Sequence, residues 1–168
     1  MKIRDGIIAI LALIFSAAFI VGCAGPHNTI DEPEITAEYL SGEYAAQLVR
    51  DGASVIFGNI DISEDEEGTI FVQITEKEFV EDSNQPNGFY IADRNQDITY
   101  QLASEARATF LYGGASVPEV MNVSGFLDAV MQDYLEYGEG YPDYSEFKLY
   151  DIYVMGEQIE LLLARYIP

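Results

Sequence analysis

The apolar positions of this chain change period repeatedly, and each change marks an element. Residues 7–21 carry no charge and are almost wholly apolar, between Lys2 and Arg4 on one side and Gly22 and Cys23 on the other. Residues 24–35 have no apolar period and contain Pro26 and Pro33, the composition of a linker. Beyond them Leu40, Tyr44 and Leu48 recur at four-residue spacing. That spacing predicts a helix over 37–50, with Thr36 as N-cap and Gly52 in the left-handed position past its end. Gly42 inside it costs about 1 kcal/mol relative to alanine, so irregular first turns are expected.

Strand periodicity follows. Residues 53–62 carry Val55, Phe57 and Ile60, residues 64–68 are turn chemistry, and residues 69–80 alternate Ile70, Val72 and Ile74 with Phe71, Gln73 and Thr75. A hairpin is the expectation. A second turn at 81–88 leads to a strand pair, 89–91 with 98–102, around Asp93-Arg94-Asn95-Gln96-Asp97, and 106–112 reads as one more short strand. After Gly113-Gly114 the period lengthens. Phe126, Leu127, Val130, Met131, Tyr134 and Leu135 make one face of an amphipathic helix, with Ser124 as the cap and Gly138 as the stop. Residues 147–154 and 158–166 form a closing hairpin at Gly156-Glu157. Ile159, Leu161, Leu162 and Leu163 are apolar on both faces, so the last strand should be central and buried.

Helix, antiparallel strands, helix and final hairpin define an α+β class that is mostly antiparallel β, in one domain over 36–168. The order of curled strands, helix and closing strands resembles small bacterial OB-type barrels, in which a helix plugs the barrel between the third and fourth strands. The resemblance implies a small OB-like barrel; a curled sheet with one or two packed helices fits the same order. No internal repeat is convincing.

The N-terminal run bears on location. At ~1.5 Å per residue it would span roughly 22 Å as a helix, short of the ~30 Å hydrocarbon core, so a cleaved secretion signal is the better reading. Ile20-Val21-Gly22-Cys23 resembles the bacterial lipobox, in which a cysteine receives diacylglycerol and becomes the new N-terminus. The resemblance implies that residues 1–22 are a lipoprotein signal peptide and that 23–35 are an acylated tether. Cys23 would then carry a covalent lipid, palmitate among its acyl chains, that holds the domain to a membrane of the cell envelope, outside the cytoplasm. Twelve flexible tether residues reach roughly 20 Å.

Charge narrows the partners. The formal net charge is −21, and loss of Lys2, Arg4 and Asp5 with the signal removes a net +1, leaving −22. Such a surface repels nucleic acid and anionic lipid head groups at short range, so no nucleic acid partner is expected and the membrane is held through the lipid alone. Chemistry is narrowed as well. Cys23 is the only cysteine and His27, in the tether, the only histidine. Cysteine nucleophiles, Ser-His-Asp triads and His or thiolate zinc sites are thereby excluded from the domain. Gly113-Gly114 lacks the downstream glycine and lysine of a phosphate loop. Carboxylates are abundant, but glycoside hydrolysis also wants sugar-stacking aromatics, and the chain has no tryptophan. The expectation is a non-catalytic binding or accessory module for a protein, peptide or glycan. The rivals are a small carboxylate-dependent hydrolase, a calcium-binding protein and a structural envelope protein.

Two local candidates remain. Asp93, Asn95 and Asp97 set oxygen-bearing side chains at alternate positions, as in calcium loops. Ile98 stands where the turn glycine belongs and Ser104 where the bidentate glutamate should be, so plain turn structure is favoured and no metal or other cofactor beyond the lipid is expected. Tyr137, Tyr141 and Tyr144, around Gly138-Glu139-Gly140, are the candidate contact surface, because tyrosine rings offer sugars or peptides a flat amphipathic face.

Overall fold

The structure, a computed structural model, describes residues 35–113, 115–138 and 148–167. The lipobox with Cys23, the tether with His27, and Tyr141 and Tyr144 lie outside the described residues. Six strands form one sheet: β1 (Ser54–Glu64), β2 (Ile70–Glu81), β3 (Phe89–Phe110), β4 (Glu119–Asn122), β5 (Leu149–Met155) and β6 (Gln158–Arg165). The order is β2-β1-β5-β6-β3-β4, and β2 also pairs with β3. That extra pairing closes β1, β2, β3, β6 and β5 into a ring, while β4 replaces β2 along the far half of β3. Every pairing is antiparallel except β3 with β6. A three-strand meander, then a helix, then a hairpin whose strands rejoin β1 and β3, curls the sheet closed.

The ring encloses the core, and a helix stoppers it. On β2 the predicted alternation holds: Val72 and Ile74 are fully buried, against Leu102, Phe110, Ile152, Ile159 and Leu162. Helix α3 (Val123–Asp133) inserts Phe126 among them. The Phe126 ring meets Phe110 at 6.2 Å and Tyr150 at 5.9 Å, both edge to face, the geometry that aromatic quadrupoles favour. β6 lies between β5 and β3 as expected, and its two apolar faces serve two cores. Ile159 and Leu162 point into the barrel, and Leu161 and Leu163 face the N-terminal helical segment. That segment runs from α1 (Ala37–Tyr39) through a wide π turn (Leu40–Tyr44) into α2 (Ala45–Arg50). It buries Leu40, Ala45 and Leu48. Thr36 caps it, accepting from the Tyr39 amide at 3.1 Å, and Gly52 follows it at φ 103°.

Two expectations are corrected. Residues 93–97 are not a connecting loop: the β2–β3 ladder runs through them, and 89–110 is one strand, not three. Thr75 faces Asp97 and Lys77 faces Asp93, so Glu76 alone spans the stretch 94–96, a bulge in which Asn95 takes φ 53°. Asparagine tolerates that left-handed conformation better than most residues. Second, Asn122 caps α3, not Ser124; its Oδ1 accepts from the Gly125 amide at 2.9 Å, because β4 runs extended up to Asn122 and leaves it at the boundary. The helical turns run on to Gly138, the expected stop, with α3 passing at Asp133 into a π turn (Tyr134–Gly138).

Candidate functional site

Beyond the bulge the β2–β3 ladder leaves the ring as a two-stranded ribbon, pairing 77–81 with 89–93. A cleft of about 720 Å³ opens beside it. Lys77 and Asp93 come from the ribbon, Tyr112 and Gly113 from the loop after β3, Lys148 and Tyr150 from the start of β5, and Arg165 and Tyr166 from the end of β6. The ring closure makes these neighbours, since the ends of β3 and β6 and the start of β5 meet on one side of the barrel.

The cations are the informative part. Of eight lysines and arginines, Lys2 and Arg4 belong to the N-terminal run; of the other six, three line this cleft. A fourth, Arg94, lies in an adjoining groove of about 320 Å³ that shares Lys77 and Arg165 with the cleft. In a chain with 29 acids, four of the six remaining bases thus border these two hollows. Each base has a carboxylate partner. Lys148 Nζ sits 3.0 Å from Oδ2 of the buried Asp133, donates to the Leu111 carbonyl at 2.8 Å and lies 4.9 Å from the Phe110 ring centre. It ties α3, the end of β3 and the start of β5 together. Arg165 Nη1 contacts Asp151 Oδ2 at 2.6 Å, with its guanidinium carbon 5.7 Å from the Phe57 ring centre. Lys77 pairs with Asp93, and Arg94 lies 3.3 Å from Glu78.

The Lys77–Asp93 pair is lopsided: the lysine side chain is 10% exposed and the aspartate 59%. The ammonium is fixed in the wall, while the carboxylate stands mostly in water. Tyr150 is also part of the wall. Burial, and then the negative charge of Asp133, push its phenol far above the ordinary tyrosine value, so it is a neutral hydroxyl at any physiological pH.

The sequence-derived candidates are dispersed. Asp93 faces Lys77, and Asp97 accepts from Thr75 Oγ1 at 2.8 Å across the bulge, so the two carboxylates that flank Asn95 are turned to β2. Among the described residues, no three acids, histidines or cysteines gather as metal ligands. Tyr137 does reach the cleft rim, since a methyl group added at Gly113 would meet its ring at 3.8 Å. Hydrogen bonding to Glu136 and that residue's charge raise the Tyr137 pKa. Lys77, Lys148 and Arg165 were not singled out as a site from the sequence; the scarcity of bases in so acidic a chain was the available signal.

No helix among the described residues is long and apolar enough to cross a membrane. No family profile, curated protein or solved structure matches the chain. What the fold and the cleft define is a class: an acidic, mostly antiparallel α+β domain with a curled sheet, packed helices and a cleft bordered by ion pairs.

Proposed function

We propose that this chain is a lipid-anchored protein of the bacterial cell envelope whose barrel serves as a binding module outside the cytoplasm. The anchor reading rests on Ile20-Val21-Gly22-Cys23 behind a charged start and an apolar run. The binding reading rests on one observation, the gathering of Lys77, Lys148, Arg165 and three tyrosines around a concave cleft in an otherwise acidic domain. Ligand sites are commonly preformed concavities with apolar walls and a few fixed polar groups, and this cleft has that build. Its polar groups are joined in opposite-charge pairs, which hold side chains in place for recognition.

Two measurements test the two halves. Intact mass of protein extracted from membranes should show a chain starting at Cys23 with added acyl mass, and Cys23→Ser should remain uncut and unacylated. An unmodified cysteine in the membrane-extracted chain would overturn the anchor. For the barrel, binding without turnover is expected; steady hydrolysis of glycoside or ester substrates by the purified protein would replace the module with the carboxylate hydrolase.

A further inference from the structure

We propose that the cleft receives the oxyanion of a small polar ligand, a carboxylate or a phosphate, and that Asp93 occupies that place when no ligand is bound. The proposal rests on the binding-module reading and names its ligand chemistry. A lysine ammonium with 10% of its side chain exposed has lost most of its hydration, and a charge so placed requires an anionic partner. Asp93 supplies one at little cost to itself, because it is 59% exposed and regains water as soon as it turns away. It sits next to the bulge, where Glu76 spans 94–96 and the ladder resumes only at Asp93, so its carboxylate can move without unpairing the barrel wall.

An incoming oxyanion therefore exchanges with Asp93 on Lys77. Arg165 supplies the second contact. Its side chain is half exposed and uses Nη1 on Asp151, and a guanidinium has five N–H donors in a planar fork suited to carboxylate or phosphate. Lys77 and Arg165 line both the cleft and the adjoining groove, so both cations border the two hollows. Lys148 is committed to Asp133 and the Leu111 carbonyl and acts as a strut. Tyr112 and Tyr166 offer rings to the body of the ligand. Acids farther than ~8 Å from the cleft are largely screened at physiological salt, so the net charge of −21 weighs on an incoming anion mainly through the carboxylates nearest to it.

The test titrates the detergent-solubilised full chain with glucuronate, glucose 6-phosphate and neutral glucose, reading affinity by calorimetry and location from the NMR signals of Tyr112 and Tyr166. Glucuronate or glucose 6-phosphate should bind where glucose does not, and which of the two is tighter identifies the carboxylate or the phosphate as source. Asp93→Asn, which removes the internal competitor, should tighten anion binding roughly tenfold, and Lys77→Gln should weaken it by a similar factor. If Asp93→Asn alters the fold, its melting temperature supplies the readout: glucuronate should raise it more than it raises that of the parent. An Asp93→Asn chain with unchanged or weaker anion affinity overturns the proposal, as does absence of binding by all three probes. Equal binding of glucose at the same tyrosines overturns the oxyanion while leaving the binding module standing.

Discussion

The plugged interior of the barrel and the ribbon that leaves it beyond Thr75 share the strands β2 and β3, yet opposite forces shape the two regions. Inside the ring, Val72, Ile74 and Leu162 are sealed against Phe126, and stability comes from apolar area removed from water. On the ribbon, Phe79 and Tyr90 are each 43% exposed, Phe79 stacks on Phe89 at 4.6 Å, and charged pairs replace apolar contact. The difference teaches where to look for work: the scarce bases collect beside the region that gives up burial.

Substitutions should separate the two regions by magnitude. Phe126→Ala removes the stopper and should cost about 3–5 kcal/mol in urea unfolding. Phe79→Ala on the ribbon loses a partly exposed ring and one stacked pair, about 1 kcal/mol. Equal losses at the two sites would erase the distinction. Asp133→Ala should also cost about 3 kcal/mol or more, because Asp133 is 2% exposed and is paired with Lys148 inside the wall. Gly58→Ala comes next at about 1–3 kcal/mol, since a Cβ there would lie 2.4 Å from the Thr75 backbone oxygen and force β1 from β2.

Solution conditions give smaller and more distributed effects. Tyr44, Tyr150 and Tyr153 all have raised pKa values, chiefly through burial. Their folded forms hold protons that the unfolded chain releases near pH 10, so their stabilising contribution is complete below that pH and is lost as pH rises above it. Alkaline unfolding followed by tyrosinate absorbance should therefore begin above about pH 10, and Tyr150→Phe should make it less steep. Salt should act more gently: with −21 on the chain, the melting temperature is expected to rise from low to molar salt as self-repulsion is screened. A flat response would mean that the acids are already compensated locally.

The interior was the legible region. Period-two alternation at Ile70, Val72 and Ile74 placed β2, and a terminal strand apolar on both faces was correctly read as central, because one face serves the barrel and the other the N-terminal helical segment. Thr36, Gly52 and the Gly156-Glu157 turn were legible because they act locally. The ribbon was not. Asp93 to Asp97 looks like a turn on its own, and only pairing with β2 makes it strand, a contact that periodicity along one segment does not carry. Asn122 and Ser124 are both good caps, and the choice fell to where β4 ends, a four-residue strand too short to show a period. The cleft was hidden for the same reason as the ribbon: Lys77, Lys148 and Arg165 are distant in the chain and meet only through ring closure.

The central claim is that the ion-paired cleft side of the barrel is built for binding and the plugged interior for stability. Equilibrium urea unfolding of the Lys77→Gln, Arg165→Gln double variant beside the parent tests it most directly. Each pair has one partner standing half or more in water, Asp93 at 59% and Arg165 at 50%, so the predicted loss is about 1–2 kcal/mol, with glucuronate-induced shifts at Tyr112 and Tyr166 abolished. A loss as large as that of Phe126→Ala, or shifts that survive the double substitution, would contradict the account.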